Sequence, residues 1–226
     1  MSPKRQRGLS LIELMLGITV GLFVLISAST VMVGQVSDHR RLLLETRTEQ
    51  DVRAIGELIQ RDLRNAGGWG NAWRSVWSET NPNPMANPYA PVSISEGGQR
   101  LAFRVSLAAV DTGTEDDVYD PNTELREYRL SDGVLRTRVG NFWQPLTDPQ
   151  TLRIATFVAT LVETPTTLSS VCAKPCDGLA DCPPTLTVRE VRVRLDAEAA
   201  HDASVKRQLD LQVRLQSDQV RGVCKP

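Results

Sequence analysis

Between Leu14 and Ser37 the chain carries no charged side chain. At ~1.5 Å of rise per helical residue, such a run is long enough to cross a ~30 Å hydrocarbon core. Lys4, Arg5 and Arg7 precede it, and Glu13 stands just inside its leading edge. A carboxylate at the centre of a membrane helix costs on the order of 2.5–3.5 kcal/mol, and less near an end, so an acid kept there usually has a partner. The three basic residues favour the cytoplasmic side, which places everything after residue 37 outside the cytoplasm. Arg40 and Arg41 on the far flank weaken this bias without reversing it.

With 226 residues, the chain has room for one membrane helix and one globular domain. Its formal net charge of −1 gives no global field that would gather nucleic acid or anionic lipid. Aromatics make up only 5%, so the core must rest on Leu, Val and Ile. Cys172, Cys176, Cys182 and Cys224 are even in number and lie in the extracytoplasmic part, which reads as two disulfides. Three pairings remain open; a bridge to Cys224 would hold down the C-terminal tail. The rival, a four-thiolate zinc site, would normally show paired Cys-x-x-Cys knuckles, which are missing here.

Helical patterning continues past the apolar run. No Pro occurs from Ser37 to Ala66, and Val52, Ile55, Leu58, Ile59, Leu63 and Ala66 follow one buried face. Gly67 and Gly68 supply the stop. One helix from about Ser10 to Ala66 would be roughly 85 Å long. Gly17 and Gly21 form a small-x-x-x-small pair that lets helices approach closely. Trp69, Trp73 and Trp77 could share a face of a short helix, where they would pack the long helix against a sheet. Residues 81–91, rich in Pro, read as a surface loop.

From Val92 the period becomes two. Leu101, Phe103 and Val105 mark a strand, and Asp132-Gly133 is the preferred turn of a hairpin over Leu125–Val139. That turn pairs Leu130 with Leu135, Tyr128 with Thr137 and Glu127 with Arg138, setting Tyr128, Leu130, Leu135 and Val139 toward the helix. Arg129 then opposes Arg136 on the wet side, partly offset by Glu127. Leu152–Val162 reads as a further strand, and residues 164–184 as an irregular Cys-bearing loop. Two last antiparallel strands carry Val191, Val193 and Leu195, then Leu209, Leu211, Val213 and Leu215, joined by a loop over Ala197–Ser204.

The basic leader, then Gly8, then Glu13 at the head of an apolar helix together resemble the type IV prepilin signal. The resemblance implies a cut by prepilin peptidase between Gly8 and Leu9, and methylation of the new amino group on Leu9. Glu13 becomes the fifth residue of the mature chain, where it meets the N-terminus of a neighbouring subunit during assembly. In low dielectric, an ammonium and a carboxylate each remove the other's reason to leave the membrane. Leu9 departs from the Phe usual in that family. Arg61-Asp62-Leu63-Arg64-Asn65-Ala66-Gly67 is similar to the stretch that closes the first helix in the PilW family of minor pilins, relatives of the J-type pseudopilins of type II secretion. The likeness covers the leader with its helix and this helix end; beyond them only a β-rich plan is shared.

It implies an α+β, type IV pilin-like fold: a leader over 1–8, a transmembrane or filament-core half-helix over 9–37, an amphipathic half over 38–68, and a mainly antiparallel β-rich domain over 69–226. The implied function is that of a minor pilin, a structural subunit in assembly initiation and the tip complex. It would sit in the inner membrane with its domain in the periplasm, and in the pilus after assembly. Its partners would be prepilin peptidase, other minor and major pilins, and a tip adhesin.

No enzyme is expected. His39 and His201 neighbour no nucleophile in sequence, and no hydrolase or phosphate-binding motif appears. Asp111, Glu115, Asp116, Asp117 and Asp120 form an acidic loop that could hold calcium, but their spacing is not that of an EF-hand. Arg126, Arg129, Arg136, Arg138, Arg189, Arg192 and Arg194 alternate with apolar residues, as the wet face of strands does, so neither nucleic acid nor a cofactor or metal is expected. The alternatives are a J-type pseudopilin, a membrane-anchored periplasmic enzyme matured near Ser29, and a DNA-uptake receptor using Arg192 and Arg194.

Overall fold

Helix α1 spans Leu11–Arg64, 54 residues without a break. It belongs to a computed structural model that describes residues 10–76, 78, 80–81, 83–107, 116–176 and 181–224, without the side chains at 33 and 37. Internal contacts divide the chain after Thr46. Before that point, every described side chain from Ser10 to Leu43 is exposed. After it, α1 buries Val52, Ile55, Ile59 and Leu63, with Ala66 just beyond its end, at three- and four-residue spacing. Leu58 is only partly covered. Gly56 takes a place on the buried face, because a Cβ there would run into Leu209. The helix backbone thus lies directly on a strand.

The strands form two antiparallel sheets. The first is a meander of β1 (Val92–Ser95), β2 (Arg100–Arg104), β3 (Leu125–Ser131), β4 (Val134–Val139) and β5 (Phe142–Pro145), in that order. The second has β6 (Leu152–Thr167), β7 (Thr185–Ala199) and β8 (Asp202–Arg214), with β9 (Gln219–Arg221) continuing beside β7. A single apolar cluster joins α1 to Leu101, Phe103, Tyr128 and Leu135 of the first sheet and to Ile154, Phe157, Val193 and Leu195 of the second. This is the α+β, pilin-like arrangement that the pattern implies.

The β3–β4 hairpin has the register read from Asp132-Gly133: Leu130 pairs with Leu135, Tyr128 with Thr137, and Glu127 with Arg138. Asp132 and Gly133 both adopt positive φ, as that turn demands. Val139 is the exception on the helix side, 40% exposed beyond the helix's cover. Arg129 opposes Arg136, and the acid nearest Arg129 is Glu96, at 3.4 Å, rather than Glu127.

Two strand limits and the tryptophan strip differ from expectation. β6 runs on to Thr167 through Pro165, which an edge strand tolerates because its outward side needs no N–H. The irregular stretch therefore begins after Thr167. β7 and β8 close around Ala200 and His201, since Ala199 already pairs with Asp202, so no loop spans Ala197–Ser204. Trp69 is buried, but Trp73 is 68% exposed on a 3-10 turn and packs no sheet; Trp77 lies outside the described residues.

Two disulfides close the C-terminal region, Cys172–Cys224 and Cys176–Cys182, with Cα atoms 5.3 and 5.2 Å apart. Val223 N–H also donates to Asp181 O at 2.9 Å. Loop-closure entropy grows with loop length. The 52-residue link should contribute about 4 kcal/mol, and the six-residue link about 2 kcal/mol. Urea unfolding of Cys172→Ser/Cys224→Ser and Cys176→Ser/Cys182→Ser double variants should therefore show the larger loss in the first.

Candidate functional site: the exposed helix and the anchored helix end

Gly8 and Leu9, the proposed cleavage pair, lie outside the described residues. The structure begins at Ser10, whose carbonyl accepts the Glu13 and Leu14 N–H groups at 3.0 and 3.2 Å. Glu13 thus stands in the first turn of α1, where the helix dipole favours negative charge by about 0.3–1 kcal/mol. No donor among the described residues reaches its carboxylate. The hydroxyls nearby are treated otherwise: Thr19, Ser27, Ser29 and Thr30 each donate to a carbonyl of their own helix at 2.8–3.1 Å. Polar groups satisfied internally suit a lipid environment. Glu13 breaks that rule.

Large apolar side chains cover the same stretch. Leu11, Phe23, Leu25 and Met32 are 76%, 74%, 65% and 68% exposed, and the helix is long and apolar enough to cross a membrane. A Cβ on Gly17 or Gly21 would meet nothing among the described residues, so their small size has no reason there. It leaves backbone open to a second helix.

The other end of α1 is locked. Asp62 accepts the Tyr128 hydroxyl at 2.7 Å, and burial, reinforced by this carboxylate, pushes the phenol pKa upward. Leu63 and Ala66 are fully buried, while Arg61 and Arg64 face solvent. Gly67 has φ +72°, donates to Arg104 O at 2.9 Å and accepts from Asn87 at 2.9 Å. A Cβ at Gly67 would strike Ser217. Asp62, Leu63, Ala66 and Gly67 of the Arg61–Gly67 stretch so each have a mechanical role.

Arg189 completes this anchor and corrects the reading of it as a wet-face residue: it is 2% exposed. Its guanidinium donates to Ala90 O at 2.6 Å, Ser217 O at 2.8 Å and Ser217 Oγ at 2.6 Å. Burial lowers its pKa, against the opposing pull of Glu163 and Asp218. The signal was available: Arg189 shares parity with Val191, Val193 and Leu195, whereas Arg192 and Arg194 do not.

Of the acidic loop, Asp111 and Glu115 lie outside the described residues. Asp116 accepts Val118 N–H at 3.0 Å, and Asp120 accepts from Asn122 and Thr123 at 2.9–3.1 Å. Asp117 accepts from Trp69 Nε1 at 2.7 Å, from Asn71 Nδ2 at 2.9 Å and from Arg74. These three carboxylates are engaged by the protein's own donors. His39 lies exposed on α1 and His201 in the β7–β8 turn. The sulfurs of Cys172, Cys176 and Cys182 lie within 4.8 Å of one another, but all are in disulfides and none offers a thiolate.

Residues 3–29 match the prokaryotic N-terminal methylation motif. Residues 41–215, well over half of the chain, match prepilin peptidase-dependent protein B. The chain belongs to the prepilin peptidase-dependent protein B family. No curated protein and no solved structure gives a significant match. A member of this family carrying that motif on an exposed apolar helix is a membrane-anchored, type IV pilin-like structural subunit of pilin or pseudopilin type.

Within this family member, Asp117 offers a pH test of the anchor. Asn71 first, then Trp69 and Arg74, hold its carboxyl below the usual range, against an opposing cost of burial. A lowered folded pKa stabilises above the unfolded value of ~4, and that contribution is lost as pH falls through the folded value. Asp117→Asn should therefore melt below the parent at neutral pH, and the gap should close as the pH is lowered from ~4. A constant gap in thermal melts down to acid would contradict it.

Proposed function

We propose that this chain is a PilW-like minor pilin, a structural subunit that primes assembly of a type IV pilus and takes part in its tip complex. It is not an enzyme but the substrate of one, prepilin peptidase, which cuts between Gly8 and Leu9 and leaves Leu9 methylated. The N-terminus lies in the cytoplasm and the β-rich part in the periplasm until the subunit enters the pilus. The observation that carries this reading is Glu13: a carboxylate at the head of an exposed apolar helix, with no partner among the described residues. The N-terminal amine of a neighbouring subunit has the charge and the depth to neutralise it. Lys4, Arg5 and Arg7 support the orientation. The similarity of Arg61–Gly67 to the PilW helix end supports the choice of a minor pilin.

Mass spectrometry of the mature protein is the decisive experiment. It should find a chain beginning at Leu9 and bearing one N-terminal methyl group; a start at Met1 or Ser29 would remove the reading. Gly8→Trp should retain its leader. Glu13→Ala should still insert into the inner membrane yet be depleted from sheared filaments, as measured by immunoblot of both fractions. Equal incorporation of Glu13→Ala and parent would contradict the pairing.

A further inference from the structure

Across the outer face of the five-stranded sheet, three arginines stand in one row. Arg100 on β2 pairs with Arg129 on β3, and Arg129 pairs with Arg136 on β4. Directly opposed residues in antiparallel strands lie ~4.5–5.5 Å apart at Cα, and like charges there destabilise the sheet. The next row adds Arg138, opposite Glu127, with Trp143 beyond it on β5.

Two acids serve these four guanidiniums. Glu127, fully buried, bridges Arg100 and Arg138, the latter at 3.5 Å. Glu96 reaches Arg129 at 3.4 Å and Arg100 at 3.8 Å. The Arg136 guanidinium is exposed and has neither hydrogen-bond nor ion-pair partner among the described residues. The surplus of positive charge therefore lies toward the β4–β5 edge, beside the partly exposed Trp143.

We infer that this face is a docking surface for an acidic face of a neighbouring pilin-type subunit, with carboxylates seated beside Arg129 and Arg136. The inference rests on the assembly reading above and adds a second contact to the one made by the helix. Carboxylates suit the row, since Glu127 and Glu96 each already bridge two guanidiniums in it. A polyanion suits it less. Nucleic-acid affinity accumulates over many phosphates, whereas four guanidiniums already face two carboxylates here and the whole chain carries −1. Strand addition at the edge is disfavoured because Pro145 on β5 has no N–H to give. The face, not the edge, makes the contact.

The test uses full-length protein in detergent, with a labelled hexaglutamate peptide and a single-stranded oligonucleotide of equal charge as probes. Arg129→Glu/Arg136→Glu should weaken peptide binding by about tenfold or more, while Arg192→Glu on the other sheet changes it less than about twofold. Pilin-type subunits should co-purify with the parent and be lost from the double variant. Arg136→Thr removes one like-charged neighbour, so its melting temperature should equal or exceed the parent's. Unchanged peptide binding in the double variant would overturn the inference, as would tighter binding of the oligonucleotide or a lower melting temperature for Arg136→Thr. If the parent recovers no pilin-type subunit, the assembly reading fails, while the peptide measurement still decides the charge of the surface.

Discussion

The surface that α1 leaves uncovered before Thr46 governs how this protein can exist. Side chains such as Phe23, Leu25 and Met32 stay mostly exposed. At about 25 cal/mol per Å² of apolar area, that stretch cannot remain in water. Lipid can cover it, and so can the helices of neighbouring subunits. Glu13 distinguishes the two covers. In lipid its charge costs energy; beside an ammonium of another chain, much of that cost is offset. On the proposed function, the helix is therefore tolerable in the membrane and better placed in an assembly.

One helix meets two solvents, and its glycines show the difference. Gly56 lies where a Cβ would strike Leu209, so the backbone must sit on β8. Gly17 and Gly21 have no such neighbour among the described residues. The first serves the fold and the others leave room for a second helix. The helix's C-terminal end is fixed more firmly than core packing alone would achieve. Asp62, Tyr128, Gly67, Asn87, Arg104, Ser217 and Arg189 are bound through named hydrogen bonds, and six separate segments of chain converge there.

Much of this was legible in the residues. The charge-free run, the Gly67 stop and the Asp132-Gly133 turn each reflect local chemistry, so helix end and hairpin register follow from them. Misreadings arise where a distant partner decides. Asp117 finds Trp69 48 residues away, which no spacing rule displays. Pro165 argued for a loop because its edge position was unknown. A bulge between Ile154 and Thr156 shifts the inward set from Leu152 and Ile154 to Phe157 and Ala159, breaking simple alternation. Arg189 is the instructive case, because alternation carried back from Val191 places it inside and only the habit of putting arginine outside opposed that.

Arg189 and Arg136 show how the same side chain can serve opposite ends. A buried guanidinium is costly unless its donors are satisfied. Arg189 meets that condition with backbone carbonyls, which have no proton to lose and cannot move away without unfolding. It therefore joins β7 to the segments that carry Ala90 and Ser217. Arg136 stays in water, where an unpaired charge costs little, yet it stands opposite Arg129, where a Thr or Gln would sit more comfortably. Arg129 and Arg136, unlike Arg100, hold no buried acid of this fold, and on the inference above their complement lies on another molecule.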